Sequence, residues 1–452
     1  MRDLSDPRKI SFLLAEKLHP SLGDTINFPR PSQLPFLPGI LMALPQELVD
    51  IILDIIRDDI ASLKCCSLAA RTFVTSARKH IFKKIEISHP LSSCEMFHKL
   101  LCSSPHIAPL VEDLCIVSVL ETHPLFGSDM LSDPDRGRLR LELDMRRVSW
   151  VMSSGTLTLV LPLLNLKRIS VIENATPQRS SEEYAVNWNK LDQHLQSALA
   201  GVFSSPRLEA VHLRGVVLES PCQLLSLFSE ATALKEMSLS RLYFTQQEPW
   251  PESRIWRPTL RSLLLNDIHA DSFSQYLLNP RIDLASIGTL ALTTYSDQWE
   301  NITMPTTNLR PGVDPEHLRL NLMCYRTDLS PDVFGTNLRC IHVFSYVLVE
   351  QLGIVLKACP RDSGLEHIIL DGPADMHRIP KDPEFYAAID ATLDHLRALE
   401  TIEFRSVIRN LYPTLAPWEA AVQAAFPSLV RRGVLRVTEI EWRMCTVDPD
   451  WE

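Results

Sequence analysis

The sequence predicts an α/β protein in which a small N-terminal three-helix module precedes an irregular solenoid of repeats with parallel strands and outer helices. Apolar residues fall at helical spacing between residues 44 and 83. Beyond residue 105 another pattern recurs, in which an apolar anchor is followed by apolar residues three and five positions later. The chain also has 14 glycines but 32 prolines among 452 residues, which favours many short elements closed by proline-containing loops.

Residues 1–40 are predicted to form a proline-rich lead-in. Six prolines lie in this range, at positions 7, 20, 29, 31, 35 and 38. Proline fixes its own φ and has no backbone N–H, so a segment this rich in proline favours an extended chain.

Residues 41–86 are predicted to form the three-helix module. In its first helix Pro45 lies in the first turn, and four apolar residues follow at i, i+3, i+4 and i+7. Of these four we expect Ile51, Ile52 and Ile55 to build the module's own core, while Leu44 and Pro45 stay exposed. The residues that define the three helices are Leu48, Ile51, Ile52 and Ile55, then Asp58, Asp59, Leu63 and Cys66, then Phe73, Val74, Ala77 and Ile81.

Residues 105–452 are predicted to form the repeat array. The anchors Leu208, Leu234, Leu260 and Ile287 follow one another at intervals of 26, 26 and 27 residues. One strand and one helix per unit cannot bury an apolar face alone, so such units stack. The other anchors are Val111, Leu166, Leu338, Leu365 and Leu399, with weaker copies at 318–322 and 434–440. Helices are expected at 223–230, 272–278, 347–358, 385–399 and 418–431. We also expect an irregular unit near 120–165 and a surface insertion near 295–315.

The residues between the apolar positions of each strand point away from the core and are expected to line a concave face. This face is polar and of mixed sign, which fits a protein target. It shows no concentrated arginine cluster of the kind that binds phosphorylated segments. Each residue is also compatible with an ordinary solvated strand position. The candidate target-binding residues are Arg168, His212, Arg214, Glu236, His342, Phe344, His367, Asp371 and Arg405.

The first part of the chain resembles the F-box of fungal proteins. The resemblance rests on Leu44-Pro45-Gln46-Glu47-Leu48, on Cys66-Ser67-Leu68, on Arg71-Thr72-Phe73 and on Ala77-Arg78, with Phe73 where the family often has Trp. It implies docking on a Skp-family adaptor and, through it, on a cullin-RING (SCF-type) ubiquitin ligase. The adaptor-binding residues it implies are Leu44, Pro45, Leu48, Leu68 and Phe73.

The repeats look like a degenerate leucine-rich repeat array, which implies a solenoid that binds a target protein. The asparagine that this family places eight residues after the anchor is missing. The backbone groups that this asparagine would bond must therefore find other hydrogen-bond partners, and we expect the solenoid to curve unevenly. The residues at these positions are Val216, Leu242, Ile268, Tyr346 and Val407.

Composition excludes several classes of function. A formal net charge of −10 argues against nucleic acid or an anionic membrane as the main partner, and no uncharged apolar run reaches the length of a transmembrane helix. The ten cysteines form no CxxC pair, which indicates buried thiols in a protein of a reducing compartment, cytoplasmic or nuclear. No HExxH, GxSxG, GxGxxG or P-loop pattern occurs, so we predict no catalytic, cofactor-binding or metal-binding residues.

The function expected from these observations is that of a non-catalytic substrate receptor of a ubiquitin ligase. One alternative is a leucine-rich-repeat-like scaffold without a ubiquitin role. Another is an enzyme with a dispersed serine, histidine and aspartate constellation, which one sequence does not reveal. The sequence does not identify the target protein.

Overall fold

Three helices open the described part of the computed structural model: α1 (Gln46–Ile55), α2 (Ile60–Ala69) and α3 (Arg71–Lys83). The structure describes residues 45–88, 92–118, 150–173, 186–246, 259–266, 284–294, 315–322, 337–344, 352–353, 355–357, 359, 364–373, 383–407 and 416–440. The chain divides into two compact units, Met1–Asp54 and Ile55–Glu452. The predicted lead-in at 1–40 lies outside the described residues.

The ends of these helices follow from local chemistry. Asp59 caps α2, because its carboxylate accepts a hydrogen bond from the backbone N–H of Ser62 at 3.0 Å. The hydrogen bonds from the side chain and backbone of Ser62 lower the pKa of Asp59 below its ordinary value. Ala70 has extended backbone angles and separates α2 from α3. The three helices thus lie where the apolar spacing predicts them.

The packing of α1 differs from the prediction. Ile51, Ile52 and Ile55 were expected in the core, but their exposed fractions are 55%, 41% and 77%. The fully buried residues are Val49 and Leu53, on another face of the same helix. The prediction was wrong because α1 is apolar on more than one face, and spacing alone does not tell which face packs inward.

A parallel sheet of twelve strands forms most of the second unit. Neighbouring strands follow one another in chain order, as stacked repeats require. They are β1 (Lys84–Ile87), β2 (Asp113–Ser118), β3 (Arg168–Glu173), β5 (Ala210–Arg214), β7 (Glu236–Ser240), β9 (Ser262–Asn266), β10 (Thr289–Thr294), β11 (His317–Leu322), β12 (Cys340–Phe344), β13 (His367–Pro373), β14 (Thr401–Val407) and β15 (Leu435–Ile440). The predicted parallel strands are confirmed. The sequence did not indicate β1, which overlaps the end of the range predicted for the helical module.

A second parallel sheet, also absent from the prediction, runs beside part of the first. It consists of β4 (Val186–Asn187), β6 (Val216–Leu218) and β8 (Tyr243–Phe244). These strands are two or three residues long, too short for an apolar pattern to mark them.

Helices and short 3-10 turns connect the strands. The helices are α4 (Ser92–Ser103), α5 (Trp150–Ser153), α6 (Gly155–Val160), α7 (Gln193–Phe203), α8 (Pro221–Phe228), α9 (Pro383–Asp394), α10 (Ala416–Ala425) and α11 (Pro427–Arg432). Predicted helices at 223–230 and 385–399 correspond to α8 and α9, and the one at 418–431 is divided into α10 and α11 before Pro427. Within 347–358 the described residues 352–353 and 355–357 are helical. The stretch 272–278 and nearly all of 295–315 lie outside the described residues. The sequence did not indicate α4 or α7.

One continuous core holds the repeats together. The anchor residues and the residues three and five positions after them are at most 5% exposed in all nine units identified from sequence. They pack against apolar residues of the connecting helices, such as Phe203 of α7 and Phe228 of α8, whose ring centroids are 5.1 Å apart. Apolar burial on this scale is the main stabilising contribution to the fold.

A repeated backbone pattern joins each unit to the next. The carbonyl of the residue after an anchor accepts two backbone N–H groups from the following unit. The Glu112 carbonyl, for example, accepts from Lys167 at 2.8 Å and from Arg168 at 2.9 Å. The same double acceptance occurs after six further anchors, at Lys167, Glu209, Lys235, Arg261, Arg339 and Glu366, and also at Glu316, just before β11.

Backbone hydrogen bonds also link two of the units just after their strands end. The residues before the eighth position, Gly215 and Arg241, have φ values of 66° and 51° and turn the chain out of the strand. The N–H of Gly215 donates to the Ser240 carbonyl at 2.9 Å, and that of Arg241 to the Asn266 carbonyl at 2.8 Å. The eighth position is thereby free to bury an apolar side chain, as Val216 and Leu242 do.

Candidate functional site

The exposed apolar face of α1 is the first candidate surface. Leu48, at 47% exposure, continues the row of Ile51, Ile52 and Ile55, and Pro45 is exposed at the start of the helix. We call Leu48, Ile51, Ile52 and Ile55 the apolar face of α1. Large apolar side chains gathered on one surface mark sites of protein association.

The other residues implied in adaptor binding lie on the next two helices. Leu68 of α2 is 70% exposed, and Phe73 in the first turn of α3 is half-buried. Leu44 lies outside the described residues. Leu48 and Leu68 are thus available to a partner, and neither contributes to the core.

The polar face of the large sheet is the second candidate surface. Its side chains lie in rows across the strands, because every strand pair is parallel and in register. One row contains Ser170, His212 and Ser238, and the next contains Arg214, Ser240 and Asn266. The predicted concave-face residues all lie in such rows, opposite the apolar core.

The polar face brings the predicted residues together in two separate groups. The first is on β3 and β7, where Nη2 of Arg168 donates to Oε2 of Glu236 at 3.1 Å. These side chains cross the strand between them, where Ala210 occupies the same row. Both side chains remain more than one-third exposed, so this pair stays open to solvent and to a partner.

The second group lies on β12 to β15. Nε2 of His342 is 2.6 Å from Oδ2 of Asp371, and since a carboxylate only accepts, the imidazole N–H donates. On the neighbouring strand Nη2 of Arg405 donates to Oε2 of Glu403 at 3.0 Å, and Thr438 donates to Oε1 of the same carboxylate at 2.9 Å. We call these five residues the β12–β15 cluster.

The charges of this cluster support one another. Burial alone would raise the pKa of Glu403, but hydrogen bonds from Arg405 and Thr438 outweigh it and hold the pKa below its ordinary value. Burial would lower the pKa of Arg405, and its contact with Glu403 raises it instead. Both groups therefore stay ionised at neutral pH.

The remaining predicted residues take supporting positions. His367 lies with Nδ1 2.7 Å from Oγ1 of Thr401. Phe344 and Asp371, neighbours in one row, are buried, so their side chains hold the cluster together and present little surface. His212 and Arg214 are half-buried on β5.

An alternating series of charges along one edge of the strands was not predicted. Lys167 donates to Glu112, and Lys235 donates to Glu209, each at 2.8 Å. The hydrogen bond to Glu112 raises the pKa of Lys167, and the hydrogen bond from Lys235 lowers that of Glu209. The sequence signal was available, since all four residues directly follow an apolar anchor.

Two buried carboxylates were also missed. Glu173, at the end of β3 and 2% exposed, faces the core side of the sheet, and neither of its oxygens has a hydrogen-bond partner among the described residues. Burial raises the pKa of Glu173 to about 7. The nearby Ser118 hydroxyl lowers this pKa in part, although its position does not meet the geometry of a hydrogen bond. Asp390 of α9 is 5% exposed, and its Oδ1 has no partner among the described residues.

The described residues give no sign of a metal centre: nowhere among them are three or more His, Cys, Asp or Glu side chains placed to hold an ion. In the same part of the chain, no helix combines the length and apolar character needed to cross a membrane. Compared with models of known protein families and with curated proteins, the chain matches none. Its interpretation therefore rests on the two surfaces described above.

Proposed function

We propose that this protein is the substrate receptor of an SCF-type ubiquitin ligase. In this proposal the helices α1 to α3 act as an F-box and dock on a Skp-family adaptor, while the polar face of the repeat sheet binds a target protein. The chain itself performs no chemistry. It raises the effective concentration of the target beside the ubiquitin-conjugating enzyme that the ligase carries.

The apolar face of α1 carries this proposal. Burying a side chain such as Leu or Ile contributes about 1.5–3 kcal/mol, so a short helix that leaves four of them in water is stabilised by a partner that covers them. Pro45, which directly precedes α1, and the exposed Leu68 correspond to positions at which an F-box contacts its adaptor. Hence Pro45, Leu48 and Leu68, three of the residues that the F-box resemblance implies in adaptor binding, are residues that the chain itself does not bury.

The repeat sheet suits the role of target binding. We propose that it is a leucine-rich-repeat-like solenoid whose concave side is the polar face. Arg168, Glu236 and Arg405 present charge on that face, and the buried Asp371 helps to fix the β12–β15 cluster. Side chains held by neighbouring strands lose little conformational freedom on binding, which favours specific contacts.

The test is recovery of a Skp-family adaptor with the full-length chain after co-expression. We expect stoichiometric recovery with the parent protein and loss of the adaptor with Leu48→Glu. Leu163→Glu is the matched control, because Leu163 is 46% exposed and lies outside α1 to α3. Equal recovery with parent and Leu48→Glu would show that the docking assignment is wrong.

A repeat scaffold without a ubiquitin role is the second candidate. It is favoured by Phe82 of α3 and Ile85 of β1, which pack against the repeat core and tie the third helix to the array. A helical segment bound in this way can be a cap of the repeats. Recovery of target proteins without any Skp or cullin subunit would support this candidate over the ligase.

A further inference from the structure

A cleft lies among the helices of the C-terminal repeats, and none of its lining residues belongs to the polar face of the sheet. It is formed by α9, α10 and α11 and has a volume of about 510 Å³. Along α9, Tyr386, Asp390 and Asp394 line it at intervals of four residues, which places them on one face of the helix. Five alanines form much of the remaining wall, and their small side chains leave the space open.

Asp390 is the distinctive residue of this cleft. It is 95% buried, and its Oδ2 accepts the backbone N–H of Ser428 at 3.0 Å, at the start of α11. Its Oδ1 has no hydrogen-bond partner, and no cationic side chain pairs with Asp390 anywhere in the described chain. A buried carboxylate left in this state is a strong acceptor for a cation or an N–H donor brought by another molecule.

The cations around the cleft are otherwise engaged. Arg432 donates to the carbonyls at the end of α9, among them Leu393 at 3.1 Å and Leu399 at 2.9 Å, and lies 3.9 Å from Asp394. Arg431 donates to Oγ of Ser428 at 3.0 Å. His395 lines the rim. Neither arginine pairs with Asp390, so among the described residues the buried carboxylate of the cleft has no counter-charge.

We propose that this cleft binds an arginine side chain of a partner polypeptide. The guanidinium presents several donors in a planar fork, which suits the two carboxylates of Asp390 and Asp394, one helical turn apart. The methylene stem packs on the alanine walls. Lysine fits less well, because a single ammonium does not span two carboxylates. This site is separate from the polar face and does not depend on a role in ubiquitin transfer.

The test uses the full chain labelled with ¹³C at alanine methyl groups, observed by NMR. Titration with Nα-acetyl-L-arginine methylamide is expected to shift the methyl signals of the cleft in a saturable way. The corresponding lysine probe is expected to bind more weakly, and the neutral norleucine probe to cause no saturable shift. The reporting residues are Ala387, Ala391, Ala421, Ala424 and Ala425.

Two variants and a control make the test specific. Asp390→Asn keeps an oxygen for the Ser428 N–H but removes the charge, and is expected to weaken arginine binding at least about tenfold. Ala424→Leu fills the cleft and leaves both carboxylates, and is expected to abolish binding. Glu384→Gln, on an exposed position of α9 outside the cleft, is expected to change nothing.

The proposal is overturned if the arginine probe shifts none of the five methyl signals. It is also overturned if the lysine or norleucine probe binds as tightly as arginine, or if Ala424→Leu binds like the parent. The methyl signals of Ala77 and Ala210, both outside the cleft, report whether each variant is folded. If Asp390→Asn is unfolded, Ala424→Leu decides the outcome alone.

Discussion

Gly215 lies so close to Glu173 that no side chain fits between them. A Cβ atom placed on Gly215 would fall 2.6 Å from the Cβ of Glu173, well inside van der Waals contact. Gly215 also has a φ of 66°, in the left-handed region that favours glycine. Two independent constraints therefore act at the residue where the chain leaves β5 and enters the second sheet.

The glycines of this chain are expected to respond differently to replacement by alanine. Gly215→Ala combines left-handed strain with a steric clash and is expected to lower the free energy of unfolding by about 2–4 kcal/mol. Gly433 has a φ of 70°, but no atom lies within 4 Å of a Cβ placed on it. Gly433→Ala should therefore lower the free energy of unfolding by only about 1 kcal/mol. Urea unfolding of each variant measures the difference.

Gly201 provides the opposite control. It lies in α7 with no atom within 4 Å of an added Cβ, and alanine is favoured inside helices by about 0.5–1 kcal/mol. Gly201→Ala should therefore raise stability. If Gly215→Ala lowers the free energy of unfolding no more than Gly433→Ala does, the close approach of Gly215 to Glu173 is contradicted.

Glu173 is expected to make stability depend on pH. Its pKa is about 7 in the folded chain against an ordinary value of 4.5, so the folded state binds more protons between these values. The contribution of Glu173 to the free energy of unfolding is then most favourable below about pH 4.5 and falls as the pH rises through 7, by about 3 kcal/mol in total. Glu173→Gln, which is always neutral, should remove this fall.

The measurement is the urea midpoint of parent and Glu173→Gln at several values between pH 5 and pH 8. We expect the variant to be more stable than the parent at pH 8 and close to it at pH 5. Glu86→Gln, at an exposed position of β1, is the control and should leave the pH profile unchanged. Parallel profiles of the parent and Glu173→Gln would show that Glu173 is ionised in the fold.

The sequence predicted the part of the fold that repeats. An apolar anchor with partners at +3 and +5 appears in every unit, and the structure buries each of these side chains because the same backbone geometry recurs. β4, β6 and β8 were missed, since two or three residues carry no period. The faces of α1 were misassigned because Val49 and Leu53 are as apolar as the isoleucines, and packing decides between them.

The candidate site was predictable in position but not in detail. Strand alternation placed the predicted residues on the polar face, and the register then separated them into two groups that sequence spacing does not reveal. Contacts such as that of His342 with Asp371 depend on strands 29 residues apart. Asp390 was missed because its burial depends on α11, which packs beside α9 only in the folded chain.

The charged pair at the strand edge is expected to be weak and dependent on salt. Glu209 and Lys235 are each 44% exposed, and exposed ion pairs contribute about 0.2–1 kcal/mol. A double-mutant cycle with Glu209→Gln and Lys235→Met should give a coupling free energy in that range, falling as salt screens the charges. A coupling that is large and independent of salt would mean that the pair is shielded from solvent.

The two faces of α1 are expected to separate stability from binding. Leu53 is fully buried, so Leu53→Ala should destabilise the helix by about 2–5 kcal/mol. Ile51 is 55% exposed, and Ile51→Ala should change stability by less than about 0.5 kcal/mol. Hydrogen exchange of the amides in α1 measures both changes in stability. A loss of 2 kcal/mol corresponds to roughly thirtyfold faster exchange when the amides exchange through opening of the helix.

Binding should show the reverse order if the apolar face of α1 is a docking surface. Ile51→Ala is then expected to weaken recovery of a Skp-family adaptor without changing exchange in the free chain. Rapid exchange in Ile51→Ala with slow exchange in Leu53→Ala would place the isoleucines in the core, as their spacing first predicted. The exposed row would in that case be structural, and the argument for docking through α1 would lose its main support.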